Sequence, residues 1–205
     1  VVSNDSANTP IGRAEPTAVK LAVAGSFGVG KTTFIGSVSE ITPLSTEAEM
    51  TRASIGVDDL SATPHKRTTT VAFDYGRRTL DTDTVLHLFG VPGQQRFEEL
   101  WSRLFRGALG AVVLVDTRRF DASFPALDRV EEAQMPFVVA HNVWHDEDAR
   151  HSPEKIRQHL TLQEQVPVMA CDARQRDSVR QVLITLVRYA GRHYAARGRQ
   201  EAGRA

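Results

Sequence analysis

The run GSFGVGKTT, Gly25 to Thr33, carries the spacing G-x-x-x-x-G-K-T, and the chemistry open to that spacing is polyphosphate binding. Glycines let the backbone curl so that successive N–H groups point inward at phosphate oxygens, and a helix beginning there adds the positive end of its dipole. On this reading Gly25, Ser26, Phe27, Gly28, Val29, Gly30, Lys31, Thr32 and Thr33 line the phosphates. The Lys31 ammonium bridges the terminal ones and the Thr32 hydroxyl ligates Mg2+. A glycine-rich turn beside a surface lysine is the bland alternative. The flanks weigh against it, because the β-rich run VKLAVAG precedes the turn and KTTFIGSVSEI, which can form a helix, follows it. Phe27 is a bulky member of the loop and would narrow the room near a terminal phosphate.

A second stretch with reactive potential is VPGQQRF, residues 91–97. Here Gly93 can place its N–H on a terminal phosphate and Gln94 can orient water for in-line attack, which makes Gln94 and Lys31 the catalytic candidates. The acid that would hold Mg2+ through water at the start of such a turn is absent, since the aligned residue is Gly90, and the metal site reads as one carboxylate short. In TTTVAFDYG, Thr70 sits where hydroxyl and backbone could reach back to the metal and terminal phosphate, with Thr69 as runner-up; threonines also simply favour strands.

A third stretch, VVAHNVWHD, residues 138–146, concerns the base. Asn142 ends a strand and can tie a base-reading loop to the phosphate loop. Three residues on stands His145, where an acid would accept hydrogen bonds from the ring N–H and amine of guanine. A neutral imidazole offers one acceptor and one donor, and a charged one offers nothing to accept with. Asp146 can serve only if the loop bulges by one residue. In CDAR, Asp172 and Ala173 can supply a backbone N–H that favours a carbonyl at the purine six-position, and Trp144 either stacks on the base or covers the core. The expectation is guanine, bound with weakened discrimination.

These residues need strands and helices to hold them. After the opening strand, turn and helix, residues 40–67 contain Pro43, Gly56 and Pro64 without a hydrophobic period and read as a long functional loop. TTTVAFDYG and TVLHLFG alternate and should pair as an antiparallel hairpin with GRR at the turn. FEELWSRLFRG has helical spacing; ALGAVVLVDT is a continuous apolar strand; ASFPALDRVEEA is a helix with Pro125 in its first turn. MPFVVAHN, SPEKIRQHL, VPVMACDA and SVRQVLITLVRYAGRHYAAR then read as strand, helix, strand and closing helix. Such alternation implies an α/β fold, a mostly parallel sheet wrapped by helices with one antiparallel edge strand.

Composition narrows the class. At 205 residues and 41% hydrophobic content the chain can bury one sizeable core and is short for two. The expected boundaries are a disordered lead at 1–17, one domain at 18–196 and a short basic tail at 197–205. Basic and acidic residues each total 25, which removes any bulk electrostatic case for nucleic acid or an anionic membrane. The single cysteine, Cys171, asks for no oxidising compartment, and no apolar run is long enough for an integral membrane segment. Cytoplasmic residence follows as the plain expectation.

The ordered set GSFGVGKTTFIGSVSEI, GVDDLSATP, TTTVAFDYGR, LFGVPGQQRF, GAVVLVDTRR and CDAR resembles the actinobacterial conservon GTPases, the D-type proteins of those operons. It is more distantly similar to the bacterial polarity GTPases with TVPGQ. The likeness runs from about Val19 to Ala190. It implies a three-layer, Ras-like P-loop NTPase domain that binds GTP or GDP with Mg2+ and hydrolyses slowly. It also implies partners encoded alongside, among them a roadblock-type regulator and, beside some members, a pentapeptide-repeat protein, with recruitment to a membrane only through such partners. Gly90 fits that family's FGxPGQ turn, whereas His145 departs from the acid the family usually keeps. The function so implied is a switch in which GTP orders residues 40–70 and 90–98. The rival is a nucleotide-poor pseudo-GTPase scaffold that binds partner proteins without turnover.

Overall fold

The computed structural model describes residues 16–51, 68–92, 98–144 and 151–202. The glycine-rich turn is framed by strand β1 (Thr17–Gly25) and helix α1 (Lys31–Val38). There follow β2 (Leu44–Thr51), β3 (Thr68–Thr79), β4 (Thr84–Gly90) and α2 (Glu98–Phe105). The second half runs β5 (Gly110–Val115), a 3-10 segment (Thr117–Ser123), α3 (Phe124–Glu132), β6 (Phe137–Asn142), α4 (Pro153–His159), β7 (Val168–Cys171) and α5 (Arg176–Ala202).

The seven strands lie in the order β2-β3-β4-β1-β5-β6-β7. Strands β4, β1, β5, β6 and β7 are mutually parallel, and β3 runs antiparallel to both of its neighbours. The expected α/β class is the observed one. Two details differ from the sequence reading. Residues 44–51, taken there as loop, form β2 outside β3, so the antiparallel strand is one place in from the edge. The residues GRR continue β3, and the hairpin turns instead at 80–83, where the Asp81 carboxylate accepts from the Asp83 N–H at 2.9 Å.

Period-two alternation splits the core between the sheet's faces. Leu21 and Val23 of β1, Val112 and Leu114 of β5, and Val138 and Ala140 of β6 pack with α1 and α5. The residues between them, Ala22, Ala24, Ala111, Val113 and Val139, pack on the other face with α2, α3 and α4. Side chains at both faces of the central strands are fully buried, which is why those segments read as unbroken apolar runs. Helix α3 starts with Pro125 in its first turn, as expected. Helix α5 continues to Ala202 and takes in most of the stretch expected as a tail. Of the expected lead, residues 1–15 lie outside the described residues and Thr17 already opens β1. No helix among the described residues is long and apolar enough to cross a membrane.

Candidate functional site

Parallel strands all end on one side of the sheet, and that side gathers the reactive residues. Gly25 closes β1 at φ +139° and Gly30 caps α1 at φ +104°, both conformations that side chains resist. Space forbids substitution as well. A Cβ on Gly25 would sit 2.6 Å from the Leu114 carbonyl oxygen, and one on Gly30 would sit 2.6 Å from Asn142 Nδ2. No side chain caps α1 and no acid stands in its first turn, so the positive end of the helix is left to the loop. The Ser26 hydroxyl is buried there with no hydrogen-bond partner among the described residues. This is a cradle whose polar groups fit an anion. Phe27 turns outward at 70% exposure rather than over the loop. The loop is braced from the 3-10 segment after β5, because Arg119 Nη2 donates to the Phe27 carbonyl at 3.3 Å while its Nε lies 3.5 Å from the carboxylate of buried Asp116.

Lys31 folds back into the cradle. Its ammonium donates to the carbonyls of Gly25 at 2.9 Å and Ser26 at 2.8 Å. Burial pushes its pKa down to about 8, with the Asp74 carboxylate opposing the fall. A polyphosphate would reverse that shift by supplying negative charge.

Beside it, the Thr32 hydroxyl donates to Asp74 Oδ2 at 2.6 Å. A hydroxyl that spends its hydrogen on a carboxylate keeps its lone pairs for a cation. Asp74 stands on β3 directly across from Gly90 of β4. A Cβ on Gly90 would meet Asp74 Cβ at 3.0 Å and Asp74 Oδ2 at 3.2 Å. A carboxylate thus stands beside the Thr32 hydroxyl, contributed by the strand next to position 90, where a side chain would crowd it. The sequence reading noted the acid absent at Gly90 and did not include Asp74. Hydroxyl, carboxylate and phosphate oxygens are hard donors of the kind Mg2+ takes when it needs only one or two protein carboxylates. No cluster of three or more His, Cys, Asp or Glu able to hold a metal occurs among the described residues.

The other expected residues divide. Thr70 lies within β3, paired with Glu49 of β2, about 13 Å along the strand from Asp74, and its side chain is outside the described set. Gly93, Gln94, His145 and Asp146 also lie outside the described residues. Asn142, 1% exposed, joins two loops as expected: Nδ2 donates to the Val29 carbonyl at 2.8 Å and Oδ1 accepts from the Ala173 N–H at 3.1 Å. Through that second bond the Ala173 N–H, read as a donor to the base, donates to Asn142 in this structure. Asp172 is engaged too. Arg174 holds it through backbone N–H, Nε and Nη2, all at 2.8–2.9 Å, and keeps its carboxyl below the usual range. Trp144 packs its ring edge on Gly30, with ring carbons 3.1 and 3.2 Å from where a Cβ would be, so it covers the cradle.

Asp74 is the residue that motif reading missed. Its signal lay in the hairpin register: a turn at 80–83 places 74 opposite 90, whereas a turn at GRR does not.

Comparison with known proteins follows the same lines. Uncharacterized protein MJ1339 of Methanocaldococcus jannaschii is 33% identical over 101 residues, 49% of this chain and 53% of that protein. Human EF-hand calcium-binding domain-containing protein 4B is 26% identical over 179 residues, 83% of this chain and 22% of that protein. The chain thus spans about half of the first relative and under a quarter of the second. Among solved structures, the apo cytosolic domain of the T. maritima FeoB iron transporter superposes with a TM-score of 0.58 at 19% identity, covering 85% of this chain and 64% of that one. The isolated G domain of the same transporter gives 0.55 at 18% identity, covering 85% and 99%. The cytosolic domain was also solved in GDP and GMPPNP forms. These likenesses establish the fold of a G domain. A family model described as "Conserved hypothetical ATP binding protein" matches residues 23–193, a span that holds the cradle, Asp74 and Asn142, and it is to this family that the chain belongs.

Proposed function

We propose that the chain is a small GTP-binding protein with slow GTP hydrolysis, used as a nucleotide-dependent signalling switch of the conservon D type. One observation carries the reading: the Lys31 ammonium and the Thr32–Asp74 pair meet at the glycine-rich turn that opens α1. The GDP and GMPPNP forms of the FeoB neighbour support guanine as the base, while the family's description speaks for adenine. Lys31 would hold the terminal phosphates, Thr32 and Asp74 the Mg2+ ion, and Gly93 and Gln94 the terminal phosphate and attacking water; Thr70, about 13 Å along β3 from Asp74, would reach the metal only by leaving its pairing with β2. Bound Mg2+ supplies neutralisation of the charge that develops as the terminal phosphoryl group leaves. The protein acts in the cytoplasm, reaching a membrane only through partners such as a roadblock-type regulator; a pentapeptide-repeat protein is a further candidate partner.

A second reading, a scaffold that binds partner proteins without nucleotide, is favoured by the Ala173 N–H being committed to Asn142. Titration of fluorescent mant-GDP and mant-ADP with excess Mg2+ separates the readings. Micromolar binding with GDP preferred supports the switch, ADP preference moves the chain to adenine chemistry, and binding of neither supports the scaffold. Gln94→Ala should then slow single-turnover hydrolysis while leaving GDP affinity within about threefold, and Lys31→Ala should lose both.

A further inference from the structure

Helix α1 spans only eight residues and ends at Val38, so it covers the sheet near the cradle and leaves the opposite end of that face to α5 alone. Between α5 and the β3–β4 hairpin this leaves a groove of about 980 Å³. Its floor and walls are apolar: Val19 and Leu21 of β1, Leu86 of β4, and Leu183 and Val187 of α5. Two of the apolar side chains at the groove are displayed to solvent, Leu80 at 57% and Val187 at 43%. Arg78, Arg176, Arg180 and Arg188 stand along its rim with Asp177 as the carboxylate beside them. None of the four guanidinium groups forms an ion pair among the described residues. The chain as a whole is neutral, so this positive rim is a local feature and not part of a general surplus.

We infer that the groove docks an acidic amphipathic helix of a partner protein. An apolar floor calls for a stripe of large aliphatic or aromatic side chains, and four guanidinium groups without an ion pair among the described residues call for carboxylates on the flanks of that stripe. The three groove-lining arginines that α5 supplies, at 176, 180 and 188, run about 18 Å along the helix at 1.5 Å per residue, the length of roughly three turns of a partner helix. The concave floor sits below the rim, which suits a protruding helix and not a flat bilayer. The groove follows α5 from Arg176, near the carboxyl ends of the strands, to Arg188 beside the β3–β4 hairpin, and includes none of the Gly25–Thr33 residues, so it can be filled whether or not the cradle is.

A helix-displayed peptide library selected on the full chain tests this. Enrichment should favour Leu, Ile or Phe at i, i+3, i+4 and i+7 with net negative charge. A synthesised winner should bind in fluorescence anisotropy and lose at least tenfold in affinity on Arg78→Glu/Arg180→Glu and, separately, on Val187→Asp, with melting temperature and mant-GDP binding unchanged. Failure to enrich, enrichment of neutral or basic sequences, or affinity insensitive to the charge reversal would overturn the inference. Phosphatidylglycerol vesicles that bind with the same sensitivity would overturn it in favour of a membrane. Because the variants keep cradle and Asp74 intact, this outcome is independent of whether nucleotide binds.

Discussion

Among single residues, Asp74 brings a carboxylate to the Thr32 hydroxyl from the strand beside Gly90. Asp74 and Gly90 face each other across β3 and β4, and only one of them has room for a side chain. Asp74→Asn should lower the gain in nucleotide affinity that Mg2+ confers by about 10–100-fold while leaving affinity in chelator unchanged. Gly90→Asp alone should destabilise the protein by about 1–3 kcal/mol through overpacking against Asp74 and Ile35. Combined with Asp74→Ala, the same substitution should recover part of the Mg2+ dependence; equal loss in the single and double variants would show that the position, not the carboxylate, matters. Lys31 offers a second residue-scale test. Its pKa falls from 10.5 unfolded to about 8 in the free fold, so between those values the unfolded chain holds more protons and stability rises with pH across that window. Nucleotide restores the charge, so at about pH 9 binding should take up close to one proton, and at about pH 6.5 almost none. Calorimetry in buffers of different ionisation enthalpy reads this directly, and uptake that is the same at both pH values would contradict it.

At the scale of elements, Asn142 at the end of β6 locks the first and last loops of the site together. Asn142→Ala leaves the Val29 carbonyl and the buried Ala173 N–H unpaired, and should cost about 2–4 kcal/mol in urea unfolding of the free protein. Gly30→Ala meets both an unfavourable φ and the Asn142 amide. It should cost a similar amount alone but less in the Asn142→Ala background, because the clash is removed there; strict additivity would argue that the two do not touch. The strands and helices themselves were largely legible, since continuous apolar runs such as GAVVLV and FVVAHN betray strands covered on both faces. β2 was not: its LSTEAEMT has two acids and no apolar run, as an edge strand permits. The hairpin was expected but its turn was misplaced by the glycine-first rule, and that slip concealed Asp74, whose role depends on cross-strand register rather than on spacing along one segment.

At the scale of the molecule, a single sheet carries two surfaces of opposite chemistry: a glycine-rich cradle with hard oxygen donors, and an apolar groove along α5 lined with arginine. The cradle was readable because its residues are contiguous from Gly25 to Thr33. Commitments made through space were not, as with the Ala173 N–H that Asn142 consumes and the Phe27 ring that points away from the loop. The central claim is that the cradle, completed by Asp74, holds a metal-bound nucleotide. A crystal structure of the chain with GDP and Mn2+ tests it most directly through the anomalous signal of the metal. The account predicts the diphosphate within the Gly25–Thr32 loop and a metal peak about 2.0–2.3 Å from Thr32 Oγ1, with the Asp74 carboxylate bound to it directly or through one water. A diphosphate seated elsewhere, or a metal with no contact to Thr32 and Asp74, would contradict it.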